Sequence, residues 1–226
     1  MKSNTNEWIS ISDLMAGIVS VIVMLLAVSI LQQLISSLMN KMNEQQDVVV
    51  HQKMVDEIFG EIKDDFQGAR ISKLVRFDNE KDKIIFTDGI FLSGSAKVTT
   101  EVQQALNSAK PKIIRYLSEL ENCLIYIEGH SDNTPVIHPV INKEKYGAVY
   151  DDNYTLSAAR AREARNVLLG ELPEEFANRI IVAGYGSSRP LPGTTPSDQA
   201  NRRIEIRFVL EAKEKADNES TTADNR

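Results

Sequence analysis

The chain is poor in the residues that staple a fold or carry out covalent chemistry. Its 226 residues include a single cysteine, Cys123, so an intramolecular disulfide is impossible and metal sites built on cysteine pairs are excluded. Cys123 borders the apolar run Leu124-Ile125-Tyr126-Ile127 and reads as a buried core residue. Three histidines, His51, His130 and His138, show no metal-ligand spacing such as HExxH. Basic residues are outnumbered, 26 against 32 acidic, and the net charge of -6 argues against a nucleic-acid binder. No nucleophile stands with its base and no carboxylates are paired for acid–base work, so an enzyme is the class least supported.

What the chain does have is a long apolar stretch near its start, Trp8 to Leu31 (WISISDLMAGIVSVIVMLLAVSIL). From Leu14 onward about eighteen residues pass without a charge, the length of a membrane span. Asp13 lies just inside the N-terminal end, where a carboxylate is costly unless it faces protein or water. At helical spacing Asp13, Gly17, Ser20, Met24, Ala27 and Leu31 form one stripe, half of it small residues that let a neighbouring helix approach. Asp13 could instead lie among the lipid headgroups and merely end the span. A cleaved signal peptide fits less well, because Glu7 and Asp13 oppose Lys2 and no clean small-x-small site follows. Lys2 and Lys41 barely vote on orientation; the short leader favours a cytoplasmic N-terminus and an exported remainder.

Beyond the span, apolar residues recur at Ile35, Leu38, Met42, Val49, Val55 or Ile58, Ile62 and Phe66, without proline and with no glycine between Gly17 and Gly60. This predicts a continuing helix with an approximate heptad seam, interrupted by Gln45 and Gln52. A self-associating stalk is the favoured reading; a helix packed on its own domain is the alternative. From Ile71 the pattern changes. Short β-prone runs at Leu74–Phe77 and Ile84–Phe86 flank a charged turn. Thr100-Glu101-Val102-Gln103 has the form of a capping box opening a helix that Pro111 should kink or divide. A buried strand at Leu124–Ile127 ends at Glu128-Gly129, a second helix spans about Leu156–Leu169, and Ile180–Val182 is a third strand. Arg203–Val209 alternates, predicting a half-buried strand with Glu205 and Arg207 outward. The pattern gives an α+β domain with helices on one face of a mixed sheet.

Four polar clusters punctuate this domain: GHSDNTP after a strand (Gly129–Pro135), NYTLSAARA entering a helix (Asn153–Ala161), Gly184-Tyr185-Gly186, and Asn201-Arg202-Arg203. Gly184-Tyr185-Gly186 lacks the Lys-Ser/Thr of a phosphate loop and reads as a turn. Asp132 and Arg160 could together grip a zwitterion, the carboxylate taking an ammonium and the guanidinium a carboxylate, or could simply pair with each other. His130 reads as a structural hydrogen-bonding residue.

The ordered set GHSDNTP, NYTLSAARA, GYG and NRRIEI resembles the peptidoglycan-binding domain of the OmpA C-terminal/MotB family, over roughly Ile71 to Leu210. The resemblance implies that Asp132 and Arg160 hold the diaminopimelate of the cell-wall peptide, with Thr134, Asn153, Leu156 and Arg203 around the same pocket. The stretch Val136–Asp151 is longer than the family's usual connection. The N-terminus resembles that of the family's stator subunits, in which an acid at the start of the span carries the transported ion; the matching residue is Asp13. The short leader and the run WISISDLMAG are most similar to the ZorB group, the MotB-like subunits of the Zorya anti-phage defence system. The resemblance thus implies an inner-membrane, peptidoglycan-anchored homodimer. Around it would sit a multi-span ZorA/MotA-like ring, with a transported proton or sodium ion and no other cofactor. A flagellar stator subunit and a passive wall tether are the alternatives.

The expected organisation is a short cytoplasmic N-terminus (1–12), a transmembrane helix (13–35), a dimerising helical linker with room for a plug (36–70), the OmpA-like periplasmic domain (71–210) and a disordered tail (211–226).

Overall fold

The structure, a computed structural model, describes residues 4–66, 70–87, 89–92, 94–170 and 174–211. It divides into two units, Met1–Val49 and Val50–Arg226. The tail beyond Glu211, read from the sequence as disordered, lies outside the described residues.

Helix α1, Asn4–Phe66, runs without interruption, as the absence of proline allows. Among the described residues it is the one helix long and apolar enough to cross a membrane. In the first unit its large apolar side chains, from Leu14 through Leu38, are exposed. Two hydroxyls of this unit are answered within the helix: Ser12 Oγ donates to the Trp8 carbonyl at 2.8 Å and Ser20 Oγ to the Ala16 carbonyl at 2.9 Å. A helix in hydrocarbon must satisfy its polar groups this way.

The second unit opens with the last turns of α1, and here the structure corrects the expected stalk. His51, Val55, Ile58, Phe59, Ile62 and Phe66 are buried in the unit's own core. Phe59 meets Phe77 and Phe208 edge-on, at centroid distances of 5.5 and 5.3 Å. His51 Nε2 lies 2.8 Å from the Tyr116 hydroxyl. The apolar stripe read as a seam between copies is, from His51 onward, the stripe that roots α1 in this domain, so the unit begins at Val50 rather than Ile71. Gln52, an apparent flaw in the seam, donates to Asp82 at 3.1 Å.

Five strands form the sheet, in the order β1-β2-β5-β3-β4: β1 Val75–Asp78, β2 Lys83–Phe86, β3 Cys123–His130, β4 Ile180–Gly184 and β5 Arg203–Leu210. All pairs are antiparallel except β3 with β4, so the sheet is mixed, as expected. Ile84, Phe86, Ile125, Ile127, Ile204, Ile206 and Phe208 share one core with the end of α1, with α2 (Thr100–Glu119) and with α4 (Asn153–Leu169). Two short helices, α3 (Lys143–Tyr146) and α5 (Glu174–Ala177), lie in connections.

Three local expectations change. The Thr100–Gln103 capping box does not form: Thr99 is the N-cap and makes no side-chain cap bond. The box belongs instead to α4, where Asp152 accepts from the Thr155 N–H at 2.7 Å and the Asp152 N–H is returned to Thr155 Oγ1 at 3.1 Å. Helix α2 also continues through Pro111. Pro111 and Asn107, whose carbonyl loses its partner, are both exposed, so water can replace the missing bond. Finally, β5 is not half-buried, because Glu205 is buried as well as Ile204 and Ile206.

If α1 is part of this core, Ile58→Ala should destabilise the Val50–Arg226 unit by about 2–5 kcal/mol, while Lys53→Ala, on the exposed side, should change it little; chemical denaturation of both variants checks this.

Candidate functional site

One cavity of about 280 Å³ gathers most of the residues singled out by sequence. Asp132, Thr134, Asn153, Leu156 and Arg160 line it together with Arg202, Val136, Val140 and Tyr150. The lining combines charged and hydrogen-bonding groups with apolar ones, a combination suited to a small charged group carried on an aliphatic chain.

Two elements set this geometry. Strand β3 runs on through His130, further than expected, and delivers Ser131 and Asp132 directly from its end. Asp132 is buried; its Oδ1 accepts from the Thr134 N–H at 3.2 Å and its Oδ2 from Arg202 Nη1 at 2.9 Å. Asn153 Nδ2 donates to the carbonyls of Asp132 and Thr134, at 3.2 and 2.9 Å, tying the loop to the first residue of α4. Asn153, Leu156 and Arg160 are three and seven residues along one helix, hence on one face of it. That face is pressed onto the sheet at two glycines. A Cβ on Gly129 would stand 2.0 Å from the Ser157 carbonyl oxygen, and one on Gly184 2.5 Å from the Ala158 nitrogen. Arg160 is buried, donates through Nε to the Ser95 carbonyl at 3.0 Å and stacks its Cζ 4.9 Å from the Phe91 ring.

Arg203 departs from expectation. Strand alternation turns it to the opposite face of the sheet, where its Nε donates to Glu205 at 2.6 Å. Arg202, its neighbour, lines the pocket instead, with Arg160. The signal was present in the sequence: Ile204, Ile206 and Phe208 mark the helix-covered face, and counting back by two reaches Arg202. Tyr150, Val136 and Val140 were also missed, although the unusual length of Val136–Asp151 pointed to the segment that supplies them.

The opposite face carries a buried ionic cluster. Glu128 and Glu205 stand directly across from each other on β3 and β5, an arrangement that repels unless cations intervene. They do: Arg207 pairs with Glu128 at 2.8 Å, and Lys83 and Arg203 each pair with Glu205 at 2.6 Å. Burial pushes the Glu205 carboxyl up, but these two cations outweigh it and hold it below the ordinary carboxylate value. His130 adjoins both glutamates and, against expectation, makes no hydrogen bond through either ring nitrogen; it stacks on Tyr185 at 5.2 Å. Glu128, His130 and Glu205 are close enough to share a metal ion. Both carboxylates, however, are already engaged by three cations, so the cluster is better suited to holding β3 against β5 than to binding another cation.

The sequence matches the OmpA family over residues 90–203. Comparison with curated protein sequences gives no match. Among solved structures the chain is similar to the periplasmic domain of Helicobacter pylori MotB, with 20% identity over 58% of this chain and 78% of that one, TM-score 0.42. It is also similar to a MotB-like protein from Desulfovibrio vulgaris, with 19% identity over 72% and 99%, TM-score 0.48. A third is the cell wall anchor of the type VI secretion system from Pseudomonas aeruginosa, with 25% identity over 62% and 90%, TM-score 0.41.

Burial first, and the charge of Arg203 second, push His130 down to about 4. An unfolded histidine titrates at about 6.5, so the neutral folded form gives full stability above that pH and loses it as pH falls toward 4, by up to about 3 kcal/mol. Thermal melts between pH 7.5 and 5 should therefore show a falling midpoint that flattens in His130→Gln, with a remaining slope from His51, which burial also lowers; equal slopes in the two proteins would refute this.

Proposed function

The chain belongs to the OmpA family, and from that premise we propose that its Val50–Arg226 unit is a cell-wall tether that binds the peptide of peptidoglycan. What supports this reading is the meeting of Asp132, Arg160, Thr134, Asn153 and Leu156 around one small cavity. A diaminopimelate side chain carries an ammonium and a carboxylate at the end of an aliphatic stem. The Asp132 carboxylate takes the ammonium, in place of or beside Arg202; the Arg160 guanidinium takes the carboxylate; Leu156, Val136 and Val140 cover the stem.

The N-terminal helix extends the reading to a motor. In it, α1 crosses the inner membrane once with its N-terminus in the cytoplasm, and two copies of the span pair inside a ring of multi-span ZorA/MotA-like subunits. A proton or sodium ion binds and leaves Asp13. Neutralising that carboxylate removes a charge that is costly near hydrocarbon, so the span can alternate between two relations to its ring. Anchorage to the wall keeps the dimer stationary, so that motion appears in the ring. The support for this is the order of the chain: an acid at the head of an apolar helix, small residues on the acid's stripe, and a wall-binding fold behind. The run WISISDLMAG around Asp13 supports the Zorya form of this stator, acting in phage defence.

Asp132→Ala and Arg160→Ala should each lower co-sedimentation of the full chain with purified peptidoglycan by about tenfold or more, the scale of losing a charge-assisted pair. Asp13→Asn should leave that binding intact and abolish phage protection in cells where the membrane complex still assembles. Loss of swimming instead of protection would identify a flagellar stator; indifference of both to Asp13 would leave a passive tether.

A further inference from the structure

The segment between the Asp132 loop and α4 does more than supply apolar residues to the pocket's lining. It is fastened to itself by a bridge in which the Val140 and Tyr150 backbones exchange hydrogen bonds of 2.8 and 3.0 Å. It is then fastened to the turn around Gly94–Lys97. The Tyr146 carbonyl accepts from Ser95 Oγ at 2.8 Å and from the Ala96 N–H at 2.9 Å, and Lys97 Nζ reaches the Glu144 carbonyl. Gly94 takes the left-handed conformation at φ 60°, and the Ser95 N–H closes the turn onto Leu92 at 3.0 Å. Tyr150, buried among Ala96, Ala148 and Leu156, donates its hydroxyl to the Gly94 carbonyl. The next carbonyl along, that of Ser95, receives Arg160 Nε.

The geometry points to Tyr150 as a positioning residue for Arg160: its hydroxyl fixes the Gly94–Ser95 turn, whose Ser95 carbonyl sets the plane of the guanidinium that faces the pocket. A guanidinium is rigid and planar, so the Nε bond to Ser95, together with the Phe91 ring against its face, fixes the direction of the other four N–H groups. Burial raises the Tyr150 phenol, which keeps it protonated and able to donate. The segment Val136–Asp151 therefore acts on Arg160 through a backbone turn, while presenting Val136, Val140 and the Tyr150 ring to the cavity. This rests on the reading of Arg160 as the carboxylate-binding group.

The test is a double-mutant cycle on the full-length protein in lipid nanodiscs, titrated with a tripeptide ending in meso-diaminopimelate. Tyr150→Phe, which keeps the ring, should weaken binding roughly fivefold, and by less than about twofold when Arg160 is already Gln, because coupled residues are not additive. Ser95→Ala, which keeps the carbonyl but removes the hydroxyl's bond to the Tyr146 carbonyl, leaving that of the Ala96 N–H, should repeat the pattern with a smaller loss. Equal losses in both backgrounds, or none, would overturn the inference. A second readout needs no ligand: exchange of the Arg160 Nε proton, followed by NMR, should be about tenfold faster in Tyr150→Phe, as expected when a protecting bond loosens. Unchanged exchange would overturn the inference. If the wild type binds no tripeptide while exchange still responds to Tyr150, the positioning stands and the wall-binding reading fails.

Discussion

The close approach of α4 to the sheet is the constraint on which the site depends. Gly129 on β3 and Gly184 on β4 leave no room for a Cβ beneath Ser157 and Ala158, and the helix settles where only hydrogen atoms separate the backbones. Ser157 reinforces the contact by accepting from the Gly186 N–H at 2.9 Å. Once α4 is seated there, its face carrying Asn153, Leu156 and Arg160 has one possible height above the loop that follows β3. Asp132 and Arg160 share a cavity because two glycines in different strands let one helix descend.

The other face of the sheet meets a different demand. Glu128 opposite Glu205 would drive β3 and β5 apart, yet these strands pair along the full length of each. Lys83, Arg203 and Arg207 convert the repulsion into a network, with the Tyr185 hydroxyl adding a bond of 3.1 Å to Glu128. Such networks are sensitive to the loss of one member, since the remaining charges stay buried. The domain is thus held from one side by apolar packing, in which the last turns of α1 take part, and from the other by paired charge.

Much of this was legible in the sequence, and the failures have physical causes. Strand and helix positions followed from periodicity, and Asp132, Thr134, Asn153, Leu156 and Arg160 do meet in space. The stripe Val55–Phe66 misled because helical periodicity states that a face will be covered without stating by what; its own sheet and another copy are equally good partners. Arg203 was preferred to Arg202 because a motif is read as a string, whereas a strand sends neighbours to opposite faces. The capping box was sought at Thr100 because Gln103 completes the familiar pattern. The box that forms has Thr155 in the returning role, a residue whose short side chain does not advertise it. His130 was expected to form hydrogen bonds; the Tyr185 ring that lies over it comes from a distant strand end.

The ties of the Val136–Asp151 segment end mostly on main-chain atoms: the carbonyls of Gly94, Glu144 and Tyr146 and the Val140–Tyr150 bridge. Main-chain acceptors are present whatever residue occupies the position. The outward side chains Ile137, Ile141 and Val149 are consequently free to drift over evolutionary time without unfastening the rim. A lineage could alter the mouth of the pocket by point substitution while the descent of α4, and the charges it carries, stay fixed.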